Sequence, residues 1–293
     1  MADNVKSMIY GIAIGDAYGA PFEYSFQRNA FKPSWTSCAI TGGGLIGKTP
    51  VGTWTDDTSM TIATIDSIHE NNGNVNPADL RAKYTAWLRQ GDYTLDGECT
   101  DCGMTTMKAL TQGYGGRNER DNGNGSLMRI SPMAFLNLNV WDIMEISAVT
   151  HANEISLNAC VQWIRIIRNL LNGNGFKTAV IESQAYMTIN GMKPVSDRLP
   201  GIWNQPADEI KSNGYVVNSL ETAVWALGSQ ESYADVISII AALGGDTDTN
   251  ASIAGAAAGI LYGYDNIPLK WRDEIRGKDI LDNAVNQIHE LIV

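Results

Sequence analysis

GGDTDTNASIAGAAAGILY, residues 244–262, is the stretch that decides the fold. Its second part, residues 251–262, combines alanine, glycine and large apolar residues and has no polar face. In a helix, this composition indicates a central element that neighbouring helices approach closely on all sides. Its first part joins two glycines, which allow a tight backbone turn, to the cluster Asp246-Thr247-Asp248-Thr249. We therefore expect a buried helix whose start carries two carboxylates.

Helical periodicity continues on both sides of this stretch. Asn76-Pro77 predicts an N-cap followed by proline at the first helical position, and Asn153 is placed to cap an apolar run that follows it. Further helices are predicted at residues 4–14, 58–71, 103–112, 142–151, 177–187, 218–227, 232–243 and 280–292. Alternating strand patterns are scarce. The sequence thus predicts an all-α fold, a single compact multi-helix domain over residues 1–293, with long loops near 20–54, 113–132 and 190–215.

Composition limits the classes of function. With 293 residues, 44% of them hydrophobic, the chain can bury a large core. Its net charge of −11 argues against general nucleic-acid binding and against binding to an anionic membrane. No apolar run is long enough for a membrane span or a signal peptide, so we expect a cytoplasmic protein, and we expect a monomer. The four cysteines include one C-x-x-C, Cys99 to Cys102, which we interpret as ordinary reduced thiols.

A second acidic cluster, Thr55-Asp56-Asp57-Thr58, lies in GTWTDDTSM near the other end of the chain. A single Asp or Thr before a helix is usually an N-cap, and this is the simpler interpretation of either cluster alone. A cap needs only one side chain, however, and crowded carboxylates repel one another unless a cation or solvent relieves them. Carboxylates and hydroxyls are the ligands that hard divalent cations prefer. The two clusters together therefore predict a site for two Mg²⁺ or Mn²⁺ ions.

Three further features are candidates for substrate contact. Glycines in the segment Gly123-Asn124-Gly125-Ser126 present bare N–H groups of the kind that bind phosphates. Glu23 lies between two aromatic residues, and His151 follows Thr150 at a helix junction. Each of these signals is weak alone, since many turns, surface carboxylates and structural histidines look the same.

Residues 42–49, GGGLIGKT, match the P-loop pattern. That pattern requires a strand before it and a helix after it, whereas Pro50 and Gly52 follow at once. We interpret the match as chance within a glycine-rich loop.

With these motifs in order, the chain resembles the ADP-ribosylglycohydrolase family, of the dinitrogenase reductase-activating glycohydrolase type. The motifs that carry the resemblance are GIAIGDAYGAPFE (11–23), GTWTDDT (52–58), DCGMTT (101–106), GNGSLMR (123–129), TH (150–151) and GGDTDT (244–249). They follow the order of the family and span most of the chain. The paired acidic motifs are specific together, and the glycine-rich motif supports them.

The resemblance implies a binuclear Mg²⁺ or Mn²⁺ centre in a cleft between helix N-termini and loops. Thr55, Asp56 and Asp57 would hold one ion and Asp246 and Thr249 the other, with Asp248 as the bridge. Glu23 would lie near the ribose and the attacking water, and Asp101 beside the scissile bond. Gly125, Ser126 and His151, together with Gly123 and Asn124, would hold the diphosphate and ribose. Cys102 replaces a residue that is more often small and apolar, which leaves the acceptor open.

The predicted activity is hydrolysis of an N- or O-glycosidic bond at C1″ of ADP-ribose. The substrate would be an ADP-ribosylated protein or a small ADP-ribosyl conjugate. One alternative is a dimetal nucleotide or phosphoester hydrolase that uses the same ions on a phosphate. A second alternative is a catalytically silent relative that binds ADP-ribose, and a P-loop kinase is a distant third.

Overall fold

Two helices rich in small residues form the centre of the molecule. In the computed structural model, which describes residues 3–24 and 49–292, α10 spans Thr247–Tyr262 and packs along α1, Asn4–Gly19. All residues of α10 from Thr247 to Gly259 are buried. The central helix predicted from residues 251–262 is therefore confirmed.

Glycines spaced four residues apart bring these two helices into backbone contact. A Cβ atom on Gly11 of α1 would overlap the carbonyl oxygen of Gly255 in α10, and a Cβ on Gly15 would overlap that of Ala251. A Cβ on Gly259 would likewise overlap the carbonyl of Ser7. Any larger residue at these positions would push the two helices apart.

Ten further helices of the described chain surround this pair, and short 3₁₀ turns join several of them. They are α2 Asp56–Glu70, α3 Pro77–Gln90, α4 Met104–Gln112, α5 Val140–Ala148, α6 Glu154–Leu171, α7 Phe176–Ile189, α8 Val216–Ser229, α9 Tyr233–Leu243, α11 Leu269–Glu274 and α12 Lys278–Ile292. The described residues contain no β-strand, only isolated bridges such as Gly123 to Tyr215. The all-α prediction is confirmed.

All of the predicted helices are present, and most of them have shifted ends. The helix predicted at residues 142–151 ends at Ala148, so Thr150 and His151 lie in the junction before α6. The short α11 was not predicted. The P-loop-like residues 42–48 and Cys38 lie outside the described residues. Within the described part of the chain, no helix is both long enough and apolar enough to cross a membrane.

The central pair also determines where the two acidic clusters lie. Near its C-terminal end, α1 carries Asp16, which reaches the first turn of α2, where the first cluster lies. One turn later, Gly19 accepts a hydrogen bond from the Thr247 hydroxyl, 2.8 Å away, in the second cluster. One helix thus holds the starts of both acidic helices in place.

Candidate active site

A cavity of about 200 Å³ opens where the N-terminal ends of α2, α4 and α10 meet the glycine-rich loop at residues 123–125. Carboxylates of Glu23, Asp56, Asp101 and Asp246 lie in it together with Gly123, Gly125 and His151. The other lining residues are Tyr24, Gly103, Met104, Thr105, Thr106, Asn124, Met128, Gly214 and Thr249.

The first acidic cluster is the start of α2, and a carboxylate from another helix caps it. Asp16 is fully buried and accepts hydrogen bonds from the backbone N–H groups of Thr55 and Thr58, each at 3.0 Å. It also accepts the Thr55 and Thr58 hydroxyls at 2.9 and 2.6 Å. Because Asp16 takes the capping role, Asp56 and Asp57 are not needed for it.

The second acidic cluster starts α10 and lies against the first. The hydroxyl of Thr249 is 3.4 Å from Oδ2 of Asp57, although 192 residues separate them. Asp246 is held from two sides, since its N–H donates to the Ser212 carbonyl and its Oδ2 accepts from Asn124 at 2.8 Å. Gly244 and Gly245 before it have φ of 69° and 80°, so the predicted tight turn is present.

Glu23, Asp101 and Asp248 form a cluster of three carboxylates. Each places one carboxylate oxygen within 4.8 Å of the others. The segment after α1 reaches the site because the Tyr24 N–H donates to the Gly245 carbonyl at 2.6 Å. Tyr24 and Asp101 both have positive φ, 49° and 55°, which is uncommon outside glycine. Loops therefore supply two of the three carboxylates, and helix α10 supplies the third.

Burial and mutual repulsion disfavour ionisation of these carboxylates. Burial first, and then the neighbouring carboxylates, raise the pKa values of Asp56, Asp57 and Asp248 well above the ordinary range. Burial also raises the pKa of Asp16 to about 6, although the hydrogen bonds from Thr55 and Thr58 lower it. An arrangement that raises so many carboxyl pKa values at once is typical of a site made to hold positive charge.

The residues present fit a hard divalent cation. Oδ1 of Asp57 is buried and has no hydrogen-bond partner among the described residues. A buried carboxylate oxygen without a donor is costly unless a ligand satisfies it. The surrounding donors are carboxylate and threonine oxygens, the ligand type that Mg²⁺ and Mn²⁺ prefer.

The glycine-rich loop and His151 pack closely against each other in the cavity wall. A Cβ on Gly125 would come within 2.9 Å of Cε1 of His151, and a Cβ on Gly123 would lie 3.3 Å from its Nε2. His151 is buried, and burial followed by the charge of Arg129 lowers its pKa to about 3. Its imidazole is therefore neutral at physiological pH.

Two predicted residues have side chains away from the open cavity. The hydroxyl of Ser126 accepts hydrogen bonds from Ser147 and Cys160 in the core, at 2.8 and 3.5 Å. Thr55 donates its hydroxyl to Asp16. The remaining predicted residues either line the cavity or lie buried beside those that do.

Sequence reasoning missed Asp16 as a supporting residue. The visible signal was an aspartate inside the otherwise apolar run GIAIGDAYGA. It also missed Gly214, where a Cβ would lie 2.9 Å from Oδ2 of Asp246, and Met104, which is 77% exposed at the cavity rim. Asp16 and Gly214 contact segments far away in the chain, so the local sequence does not specify their partners.

The C-x-x-C cysteines are free, as is Cys160. Burial raises the pKa of Cys99 to about 11 and that of Cys102 to about 12. Both are therefore protonated thiols at neutral pH and poor nucleophiles.

Comparison with known proteins identifies the family of the chain. The family model described as ADP-ribosylglycohydrolase matches residues 1–293. The chain is 31% identical to the ADP-ribosylarginine hydrolase Tri1 of Serratia proteamaculans (strain 568), over 98% of this chain and 79% of that protein. It is 26% identical to the ADP-ribosyl-[dinitrogen reductase] glycohydrolase of Rhodospirillum rubrum, over 93% of this chain and 90% of that one.

A solved structure described as an ADP-ribosylglycohydrolase-related protein complex has the same fold. Its TM-score is 0.80, with 24% identity and 99% coverage of both chains. The fold is that of an all-helical domain, and the chain belongs to the ADP-ribosylglycohydrolase family. As such, it is an enzyme that removes ADP-ribose from modified substrates by hydrolysis.

Proposed function

We propose that this enzyme uses two Mg²⁺ or Mn²⁺ ions to hydrolyse the glycosidic bond at C1″ of ADP-ribose. The observation that carries the proposal is the convergence of Glu23, Asp101 and Asp248 within 4.8 Å beside the cavity. The glycine-rich loop and His151 line the same cavity. The carboxylates suit a ribose with its reacting bond, and the loop suits the diphosphate.

The ions would be held by the two acidic clusters, with Thr55, Asp56 and Asp57 on one side and Asp246, Asp248 and Thr249 on the other. When bound, such ions orient hydroxyls and make a bound water easier to deprotonate. Asn124 supports this arrangement because it fixes one Asp246 oxygen and leaves the other for a ligand. Asp16 supports it by holding the first turn of α2.

Glu23 and Asp101 are the candidates for proton transfer. Both belong to the cluster of three carboxylates, and both line the cavity. Glycoside hydrolysis needs one group that protonates the leaving atom and one that takes a proton from water, and a carboxyl pair supplies both. The oxocarbenium-like state between them is stabilised by the negative field of the surrounding carboxylates.

The acceptor that fits best is an arginine side chain. Two relatives at 31% identity over 98% of this chain are named ADP-ribosylarginine hydrolases. The rim beside Asp101 suits a guanidinium, because a carboxylate there pairs with it. The test is a panel of defined ADP-ribosyl conjugates on arginine, serine and a small amine, assayed with Mg²⁺, Mn²⁺ and a chelator. Preferential release from serine would overturn the acceptor assignment alone.

Product analysis decides between this reaction and its rivals. Free ADP-ribose identifies the glycosidase, whereas AMP with ribose phosphate left on the acceptor would identify a hydrolase that cleaves at the phosphates. Binding of ADP-ribose without turnover of any conjugate would identify a silent relative.

The variant Asp248→Ala tests the metal site. We expect loss of turnover and of most metal uptake, because Asp248 is buried beside both clusters. Metal content by mass spectrometry and release of ADP-ribose are the two readouts. Asp265→Ala is the control, since that carboxylate is 96% exposed and pairs only with Arg272 among the described residues. Full metal content with retained activity in Asp248→Ala would remove the bridging role.

We further infer that residues 1–293 form one domain, since the family model matches all of them. The monomeric state, the cytoplasmic location and the absence of general nucleic-acid binding remain predictions from the sequence.

A further inference from the structure

A buried guanidinium lies behind the glycine-rich loop. Arg129 has no exposed surface, and its Cζ is 4.6 Å from the centre of the Tyr84 ring. Within the described residues it makes no ion pair with a carboxylate. Instead, Nη1 donates to the carbonyl of Gly125 at 2.6 Å, and Nη2 donates to the hydroxyl of Thr150 at 2.8 Å. One side chain thus joins the glycine-rich loop to the residue before His151.

The hydroxyl of Thr150 transmits this contact to His151. Its oxygen lies 2.8 Å from Nδ1 of His151, and the pair is buried. A guanidinium only donates hydrogen bonds, so Thr150 must accept from Arg129 with a lone pair. The single proton of the hydroxyl then has one acceptor among the described residues, Nδ1 of His151. The reverse arrangement would leave that proton buried and unpaired, which is costly.

This hydrogen bond determines which ring nitrogen carries the proton. When Nδ1 accepts, Nε2 of a neutral imidazole must be protonated. Nε2 is on the edge of the ring that faces Gly123 and Gly125, in the wall of the cavity. A neutral N–H donor therefore points toward the space where the loop glycines leave room for a ligand.

We propose that Arg129 and Thr150 are positioning residues that hold His151 as its Nε2–H tautomer, which donates a hydrogen bond to an oxygen of the ADP-ribose diphosphate. The identity of that acceptor rests on the proposed function, whereas the tautomer does not. The buried cation is also a fixed positive charge behind the loop, which favours an anion in front of it.

Nitrogen NMR of the ¹⁵N-histidine-labelled protein tests the tautomer directly. The chain has three histidines, and His151→Gln identifies the signals of His151. In the wild type we expect a protonated Nε2 and an unprotonated Nδ1. In Thr150→Val, which keeps the shape but removes the hydroxyl, we expect a mixture of tautomers or a protonated Nδ1. Thr150→Ser restores the hydroxyl and should restore the wild-type spectrum.

Steady-state kinetics tests the consequence for binding. Weakening one hydrogen bond in the bound state predicts a rise in KM of about tenfold in Thr150→Val, with kcat changed about twofold or less and KM recovered in Thr150→Ser. Ser183→Ala is the matched control, because it removes a fully buried hydroxyl in α7 that bonds only to Val180 among the described residues. Arg129→Lys, checked for folding by circular dichroism, should raise KM similarly, since an ammonium does not span both partners.

The outcomes separate the two hypotheses. A protonated Nδ1 in the wild type, or the same tautomer and KM in Thr150→Val, overturns the positioning role. Failure of the wild type to release ADP-ribose from any conjugate overturns the proposed function, while the spectrum still reports the tautomer.

Discussion

Asp16 caps the start of α2 from another helix, and this leaves the carboxylates in the first turn of α2 free for another role. The N-terminal turn of α2 has unpaired N–H groups that Asp56 or Thr55 would ordinarily cap. Because Asp16 reaches in from α1 and accepts four donors from Thr55 and Thr58, the cap is supplied from outside the helix. The carboxylates of Asp56 and Asp57 therefore remain available for a ligand.

Asp16→Asn should weaken both folding and metal binding. The amide keeps the shape, but in either orientation its NH₂ faces a backbone N–H of Thr55 or Thr58, which can only donate. We therefore expect a loss of about 1–3 kcal/mol in the free energy of unfolding. Urea denaturation with and without Mg²⁺ measures it, and the stabilisation by Mg²⁺ should shrink as well. The control is Asp142→Asn in the exposed capping box of α5. An unchanged stability and an unchanged Mg²⁺ effect would contradict the capping role.

At the scale of elements, the contact of α1 with α10 aligns the site. The glycines of both helices remove the side chains that would separate them, so the backbones touch along several turns. The register of this contact brings Gly19 to Thr247 and Asp16 to the start of α2. A shift between the two helices would move the second acidic cluster relative to the first.

The sign of the stability change in Gly15→Ala tests this contact. On helix propensity alone, alanine should stabilise α1 by about 1 kcal/mol. The added Cβ would overlap the carbonyl of Ala251, so we expect net destabilisation of about 1–3 kcal/mol from overpacking. Urea denaturation measures the change. Gly175→Ala, where the Cβ meets open space at the N-cap of α7, should cost only the difference in capping preference, about 0.5–1 kcal/mol. If the Gly15→Ala variant were more stable than the wild type, the two helices would be able to move apart without a loss of stability.

At the scale of the whole molecule, the fold concentrates negative charge at one place. The chain has a net charge of −11, and several of its carboxylates are buried together in the site, where they repel one another. Folding therefore brings like charges together at a free-energy cost. A bound cation would offset that cost, so metal binding and stability should be linked.

The linkage predicts a definite pH dependence. In the metal-free protein the folded-state pKa values of Asp56, Asp57 and Asp248 are raised, so the folded state binds more protons than the unfolded state above the ordinary carboxyl pKa. The contribution of these groups to stability is present at low pH and is lost as pH rises. Because Mg²⁺ binds only the ionised form, its stabilising effect should be larger at about pH 7.5 than at about pH 5.

Thermal unfolding at both pH values, with Mg²⁺ and with chelator, measures this difference. Asp248→Ala is the reference in which the Mg²⁺ effect should be small at either pH. An equal Mg²⁺ effect at both pH values in the wild type would exclude coupling between metal binding and ionisation of these carboxylates.

The sequence predicted the elements better than their contacts. Residues 251–262 predicted a buried helix because they lack any polar face, and α10 is buried through Gly259. Asn76-Pro77 announced the start of α3, and the Asn76 side chain accepts from the Asp79 N–H. The predicted end of α5 was wrong by three residues, because the sequence around Thr150 and His151 contains no strong signal for the end of a helix.

By itself, the sequence determined the helical class, the carboxylate and hydroxyl composition of the two acidic clusters, and the family. These follow from local composition, from spacing and from motif order, all of which can be read along the chain. Only the tertiary structure decided that Thr249 meets Asp57, that Asp16 caps α2, and that Arg129 reaches both Gly125 and Thr150. The physical reason is that such contacts depend on how closely two helices approach and on how they are oriented. The glycines of α1 and α10 permit the close approach, but they do not by themselves determine the orientation.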